Sequence, residues 1–205
     1  MCSSDLTDMF SYIVCGLVRL LLCFMGLKKE GIDKFPRKGP VIVAANHVSN
    51  WDPAIVAISL PRPVHFMAKV ELFNNRFLGK ILTILHAFPV KRGSADRKAI
   101  RHALYVLEQG QVLGIFPEGA RKKVKPDVKV QAGVAMLALK SGAPVVPVAC
   151  IGTESSFPLG WLQPFVLKVG EPVNLDKYRN QKINSVLLEQ VSGEIMQEIN
   201  RLLDK

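Results

Sequence analysis

Short apolar runs alternate with longer segments of helical periodicity along most of this chain. Apolar runs of strand length occupy residues 41–45, 64–68, 87–90, 112–116, 145–151 and 165–169. Segments in which apolar residues recur at helical spacing occupy residues 53–60, 72–85, 95–109, 132–140 and 183–203. Such alternation predicts an α/β layered domain with a largely parallel or mixed central sheet flanked by helices.

One apolar run contains a proline, Pro147, between Val146 and Val148. Proline has no N–H group and therefore cannot donate a hydrogen bond to a neighbouring strand. We therefore expect this strand either to lie at an edge of the sheet or to carry a bulge at the proline.

Residues 1–27 differ from the rest of the chain and are predicted to form an N-terminal membrane-associating segment. Within them, residues 9–27 are nearly all apolar, with Arg19 close to the middle. On a helical wheel the polar and small residues gather into one narrow stripe, which is typical of a helix lying in the membrane interface. A single membrane span or a buried helix of a soluble core would give a similar pattern.

The residues that flank this apolar segment bear on its type and orientation. Asp5 and Asp8 precede it, whereas a secretory signal peptide begins with basic residues. Lys28 and Lys29 follow it and favour a cytoplasmic location for the domain at residues 28–205. The first part of that domain, residues 28–40, is polar and contains glycine and proline, so we interpret it as a connector.

The formal net charge is +10 and the isoelectric point about 9.6, which indicates an anionic partner. A nucleic acid or an anionic membrane surface would satisfy this charge, but aromatic residues make up only 7% of the chain. Nucleic-acid surfaces typically interleave aromatic and basic residues, so we predict the membrane surface and no nucleic acid. The four cysteines form no metal-ligand or redox motif, which predicts no metal and a reducing, cytosolic compartment.

The first polar cluster, residues 46–53, follows the apolar run at residues 41–45 and contains His47 and Asp52. A spacing of five turns a helix by about 140°, so these side chains meet only if the chain bends between them. Turn-forming residues lie between them, and we expect Asp52 to be the N-cap of a helix beginning at Pro53. A carboxylate there could orient the imidazole for proton transfer, although a helix cap beside a loop histidine is the simpler interpretation of this pair alone.

Two further clusters are basic and also follow apolar runs. Phe88-Pro89-Val90 leads into Lys91 and Arg92, and Phe116-Pro117 leads into Glu118, Gly119, Ala120 and Arg121. An arginine fork at a sheet rim suits a phosphate, and glycine allows close approach of a ligand to the backbone. A solvated basic loop would have the same composition.

Together these motifs resemble those of the glycerolipid acyltransferase family. Asn-His-x-x-x-x-Asp at residues 46–52, Phe-Pro-x-x-Arg at 88–92, Phe-Pro-Glu-Gly-x-Arg at 116–121 and Val-Pro-Val at 146–148 occur in that order. The resemblance covers roughly residues 28–175 and is strongest to the 1-acylglycerol-3-phosphate acyltransferases.

This resemblance implies that His47 is the general base and Asp52 its orienting partner. It implies a phosphate and acceptor site formed by Arg92, Glu118, Gly119 and Arg121, with Asn46 and Lys91 as secondary candidates. It further implies a lysophospholipid acceptor, an acyl thioester of acyl carrier protein or coenzyme A as co-substrate, and no cofactor. The acceptor hydroxyl would attack the thioester directly, without a covalent acyl-enzyme.

Some positions differ from the common family pattern. Ala120 replaces a frequent Thr or Ser, Val130-Gln131 replaces Phe-Lys, and His86 replaces a small residue. Two alternative functions remain open, namely an acyltransferase on another lysophospholipid and a non-catalytic basic membrane-binding module. A serine hydrolase is disfavoured because the chain has no Gly-x-Ser-x-Gly motif.

Overall fold

The computed structural model describes residues 27–91, 96–117, 132–154, 165–178 and 181–204, together with Gly16. In these ranges the chain forms one mixed sheet with helices packed against it. The strands are β1 (Lys28–Glu30), β2 (Val41–Ala45), β3 (Val64–Lys69), β4 (Ala87–Val90), β5 (Val112–Ile115), β6 (Val145–Ile151) and β7 (Val166–Val169). The helices are α1 (Asp52–Ser59), α2 (Arg76–Ile84), α3 (Arg97–Glu108), α4 (Gly133–Ser141) and α5 (Ser185–Leu203).

The strands are arranged in the order β1-β7-β6-β2-β5-β3-β4. All neighbouring pairs among the described strands are parallel except β6 and β7, which are antiparallel. The α/β class and the mixed sheet predicted from the hydrophobic pattern are therefore confirmed. Because β2, β5 and β6 run in the same direction, their carboxyl ends meet at one edge of the sheet.

Strand β2 lies at the centre and is buried on both faces. Val41, Val43 and Ala45 pack on the α1 side, and Ile42 and Ala44 pack on the side of α3, α4 and α5. Each of these side chains is at most 1% exposed. This two-sided burial explains why β2 appears in the sequence as an unbroken apolar run.

The first strand was not predicted, because residues 28–40 were interpreted as a connector. Lys28–Glu30 instead forms the edge strand β1, paired in parallel with β7 from Lys28 opposite Val166 to Glu30 opposite Lys168. A three-residue strand of charged residues at a sheet edge has no apolar alternation. Its pairing with a distant strand determines its conformation, which local periodicity does not reveal.

Of the two alternatives expected at Pro147, an edge strand or a bulge, the structure has the bulge. Strand β6 lies between β2 and β7, so it is not an edge strand. The antiparallel register nevertheless changes by one residue across the proline, since Val148 pairs with Val169 whereas Val145 pairs with Val173. This bulge accommodates the missing N–H group, while the carbonyl oxygen of Pro147 accepts a hydrogen bond from Gly170 N at 2.9 Å.

The predicted helix at residues 72–85 is divided in two. A 3-10 turn at Val70–Phe73 precedes α2, and the side chain of Asn75 caps α2 by accepting hydrogen bonds from Phe77 N and Leu78 N. The predicted N-terminal segment at residues 9–27 lies almost wholly outside the described residues. Among the described helices, none combines the length and the hydrophobicity that a bilayer crossing requires.

Three histidines lie close together on the α3 side of the sheet. His65 on β3 and His86, just before β4, have ring centroids 4.9 Å apart, and His102 on α3 packs edge-on against Phe88. Burial, and then the proximity of His86 and His102, lower the pKa of His65 to about 4. His65 is therefore neutral in the native protein at neutral pH.

We predict that the His65→Gln substitution reduces the loss of stability at acidic pH. The unfolded chain binds a proton at His65 near its ordinary pKa of 6.5, whereas the native protein binds it only near 4. Protons therefore favour the unfolded state in this window, and stability falls as the pH falls through it. Urea unfolding of both proteins at about pH 7 and about pH 4.5 measures this, and equal losses of unfolding free energy would contradict the prediction.

Candidate active site

The loop between β2 and α1 carries the first predicted cluster and lies at the carboxyl edge of the sheet. Strand β2 ends at Ala45 and α1 begins at Asp52, so His47 and the turn after it lie between the two elements. The ends of β5 and β6 flank this loop because these strands lie on either side of β2. Parallel α/β sheets typically bind ligands at this position.

The loop folds around the carboxylate of Asp52, which is fully buried. Its Oδ2 atom accepts hydrogen bonds from Val48 N and Ser49 N, both at 2.7 Å, and lies 3.0 Å from Nδ1 of His47. Its Oδ1 atom accepts a 2.7 Å hydrogen bond from the hydroxyl of Thr153. These donors compensate for the water that the carboxylate loses on burial.

His47 and Asp52 therefore meet through a bend of the chain, but Asp52 does not have the predicted capping role. Trp51 occupies the N-cap position of α1 and makes no side-chain capping hydrogen bond. The carboxylate of Asp52 instead points back to the amides of Val48 and Ser49, upstream of the helix. The turn places these amides within reach, so the carboxylate closes the loop rather than the helix.

The contact with Asp52 determines the form of the His47 ring. Because a carboxylate accepts hydrogen bonds, Nδ1 of the neutral ring carries the proton and donates to Asp52. The lone pair then resides on Nε2, which forms no hydrogen bond to any residue in the described ranges. The side chain is mostly buried, so a reactant that reaches Nε2 is largely shielded from water. This arrangement can accept a proton from a hydroxyl group.

An aromatic stack holds the imidazole from the side. The ring of Phe116, just after β5, stacks on His47 with centroids 4.3 Å apart, and Phe66 on β3 stacks on Phe116 at 5.8 Å. Gly114 permits this stack, because a Cβ atom there would lie 2.3 Å from the Phe66 ring. The stack therefore connects β2, β5 and β3 at the site.

Asn46 anchors the same loop to β6. Its side-chain Nδ2 donates to the carbonyl oxygen of Cys150 at 2.9 Å, and its Oδ1 accepts from Cys150 N at 2.7 Å. The amide thus extends the pairing of β2 and β6 by one side chain. Both residues are buried, and burial, followed by the charge of Asp52, raises the pKa of the Cys150 thiol. These two hydrogen bonds use both polar atoms of the Asn46 side chain and tie the start of the loop to β6.

Thr153 also contacts Asp52, and no sequence pattern predicted it. It follows β6 after Gly152, which has a φ of 80°, and its side chain is buried against Asp52. Thr153 lies 101 positions from Asp52 along the chain. Only the adjacency of β6 and β2 brings the two together, and no local motif signals it.

The structure does not bring Lys91 to His47. Lys91 follows β4 at the far edge of the sheet, and two strands, β3 and β5, separate β4 from β2. Three strand spacings correspond to about 14 Å. The backbone N–H group of Lys91 donates to Asp96, which caps α3, and this hydrogen bond is the main cause of the lowered pKa of Asp96.

The other predicted site residues lie outside the described residues, namely Arg92, Glu118, Gly119 and Arg121. Phe116, which precedes the last three in the chain, is described and contacts His47. Within the described ranges, no cluster of three or more histidine, cysteine or acidic side chains could hold a metal ion.

Comparisons with known proteins give one family model and several similar enzymes. Residues 26–151 match the family model named Acyltransferase. The chain is 30% identical to the 1-acyl-sn-glycerol-3-phosphate acyltransferase of Bacillus subtilis, over 96% of this chain and 100% of that protein. It is 31% identical to the enzyme of the same name from Streptococcus pneumoniae, over 95% of this chain and 73% of that protein.

A solved structure is also similar over nearly the whole chain. The crystal structure of the 1-acyl-sn-glycerophosphate acyltransferase of Thermotoga maritima aligns with a TM-score of 0.65 and 26% sequence identity. The alignment covers 98% of this chain and 80% of that one.

We predict that the Thr153→Val substitution destabilises the protein, because it leaves Oδ1 of Asp52 buried without its donor. A buried acceptor without a partner costs about 1–3 kcal/mol of unfolding free energy. The Thr153→Ser variant retains the hydroxyl and serves as the matched control. Urea unfolding of the three proteins measures the effect, and equal stability of the Val and Ser variants would contradict it.

Proposed function

We propose that this chain, which belongs to the acyltransferase family, transfers a fatty acyl group from an acyl thioester to 1-acylglycerol-3-phosphate. The acceptor is the free sn-2 hydroxyl, and the product is phosphatidic acid for phospholipid synthesis. Relatives that align over nearly all of this chain are named for acyl transfer to this acceptor, which supports the choice. At Ala120 and Gln131 this chain differs from the common family pattern, and both differences concern the acceptor site. The identity of the acceptor therefore needs its own test.

The buried His47–Asp52 pair is the observation that carries the proposal. Its Nε2 atom accepts the proton from the sn-2 hydroxyl while the hydroxyl oxygen attacks the thioester carbonyl carbon. Asp52 stabilises the imidazolium that forms and holds its orientation through Nδ1. The carbon–sulfur bond then breaks, and the leaving thiolate takes the proton from Nε2. The new ester and a free thiol result, with His47 neutral again.

Rigid placement of His47 supports this mechanism. The ring is held by Asp52 on one side and by Phe116 stacked against it, while Asn46 fixes the start of the loop. A base held in this way does not need to be ordered when the acceptor arrives, so positioning contributes to the rate.

The phosphate of the acceptor requires cationic donors, and we assign this role to Arg92 and Arg121. Glu118 and Gly119 belong to the same site, where the carboxylate would orient Arg121 or bind a glycerol hydroxyl. The family resemblance supports this assignment. The contact between Phe116 and His47 also supports it, because Phe116 lies two residues before Glu118 in the chain. Bidentate arginine contacts suit a phosphate monoester.

The donor is a thioester of acyl carrier protein or coenzyme A, and no cofactor takes part. We place the protein at the membrane with its catalytic domain on the cytoplasmic side, where both thioesters are found. The apolar segment at residues 9–27 and the net charge of +10 support attachment to an anionic membrane surface.

We predict that His47→Ala lowers the turnover number of acyl transfer at least about 100-fold, because general-base catalysis contributes about 10²–10⁴-fold. Asp52→Asn removes the charge that stabilises the imidazolium and should also reduce turnover strongly. The assay follows free thiol and phosphatidic acid from an acyl thioester and lysophosphatidic acid in detergent micelles. His102→Gln on α3, outside the site, is the matched histidine control.

The possible outcomes separate the roles of base and acceptor. Residual turnover of His47→Ala within about tenfold of wild type would contradict the assignment of the base. Thiol release without phosphatidic acid would indicate another acceptor, which a parallel assay with lysophosphatidylcholine tests. Absence of thiol release in every protein, with membrane binding intact, would favour the non-catalytic binding module.

A further inference from the structure

We infer that the outward face of α2 and the turn before it contacts an anionic phospholipid surface. This α2 face consists of Leu72 on the 3-10 turn and of Phe77, Leu78 and Ile81 on the helix. It is distinct from the N-terminal segment at residues 9–27. The inference deepens the proposed function, because it identifies the surface through which the catalytic domain would meet the membrane that holds its acceptor.

The α2 face exposes large apolar side chains where a soluble helix normally exposes polar ones. Phe77 is 77% exposed, Leu72 is 41% exposed, and Leu78 and Ile81 are each 37% exposed. On a helix, residues 77, 78 and 81 lie within an arc of about 100°. The three helix side chains therefore form one apolar patch, and Leu72 exposes a fourth apolar side chain on the turn that precedes the helix. Such patches mark interaction sites.

The inner side of α2 shows that this exposure is built into the packing. Gly79 is the buried residue of α2, and Leu82 and Ile84 are half-buried. A Cβ atom at Gly79 would lie 3.1 Å from the carbonyl oxygen of Phe73, so the helix approaches the 3-10 turn closely. The helix thus packs closely through Gly79, while the side chains of the α2 face are exposed.

The positive charges beside the α2 face favour an anionic lipid surface as the partner over a second copy of this chain. Arg76 and Lys80, both exposed, lie one turn apart and border the apolar arc. From Leu72 to Lys91 the sequence contains no Asp or Glu. Glu71 directly precedes this stretch, and its Oε1 atom lies 3.4 Å from Nζ of Lys69, so the two charges balance each other. A second copy of this face would bring like charges together, whereas anionic headgroups complement them.

The location of the α2 face suits a lipid substrate. Strand β3 leads into the 3-10 turn and α2 from the carboxyl edge of the sheet, the edge that holds His47. Only β5 lies between β3 and β2, so the two strand ends are about 10 Å apart laterally. A bilayer against the start of α2 would therefore lie beside the site.

Vesicle binding of the full-length protein tests this inference. The probes are phosphatidylcholine vesicles with and without phosphatidylglycerol, and the readouts are flotation and hydrogen exchange of the α2 amides. We expect the Phe77→Ser/Ile81→Ser variant to bind anionic vesicles about tenfold or more weakly, because both side chains lose their apolar burial. We expect Arg76→Gln/Lys80→Gln to lose affinity for the anionic vesicles only.

Val186→Ser, on α5, is the matched control, because Val186 is 71% exposed but lies outside the α2 face. We expect it to bind as the wild type does, and we expect vesicles to slow exchange of the α2 amides in the wild type. Unchanged vesicle affinity of the α2 variants, or α2 exchange that vesicles do not alter, would overturn the inference. The latter result would indicate that another protein segment or a second copy covers the face.

An activity assay separates this inference from the proposed function. With a short-chain lysophosphatidic acid dissolved as monomers, the Phe77→Ser/Ile81→Ser variant should turn over as the wild type does. With the acceptor embedded in vesicles, its rate should fall along with binding. Equal loss in both assays would assign the face to the catalytic unit and overturn the inference. If the wild type acylates neither acceptor, the proposed function fails while the vesicle binding still decides the inference.

Discussion

The buried carboxylate of Asp52 is the constraint on which the site depends. A charge removed from water destabilises a fold unless polar partners surround it. Here the partners come from two places, namely the loop at residues 47–49 and Thr153 at the end of β6. The fold must therefore hold β2 and β6 side by side, and the buried pair of strands at the centre of the sheet does so. The position of His47 and the stability of the domain thus both depend on the Asp52 side chain.

The elements around His47 follow from the same sheet order. Phe116 reaches the ring because β5 is the other neighbour of β2, and Asn46 reaches Cys150 because β6 is parallel to β2 and in register with it. Gly114 leaves room for Phe66 beneath this stack. A change of strand order would separate these groups even if every local segment kept its conformation.

The sequence predicted the parts of this structure that depend on local patterns. Apolar runs indicated β2 to β7, and the ordered motifs indicated His47 and Asp52. Features that depend on distant neighbours were missed. The charged strand β1 forms only beside β7, and Thr153 approaches Asp52 only across the sheet. The capping role expected for Asp52 was wrong for a related reason, since a local rule directs the carboxylate toward its helix while the turn offers closer amides behind it.

Helix α2 shows where hydrophobic periodicity alone gives incomplete information. The pattern predicted a helix near these residues, and periodicity normally implies that the apolar side faces the core. In this protein Gly79 is buried and Phe77 is 77% exposed, so the pattern indicated the helix but not the side through which it packs. An exposed apolar surface has no stabilising role in water, and it becomes favourable where the surroundings are themselves apolar. The same edge of the sheet holds the buried His47–Asp52 pair and leads into an exposed apolar helix, an arrangement that suits the proposed chemistry on a substrate held in a lipid layer.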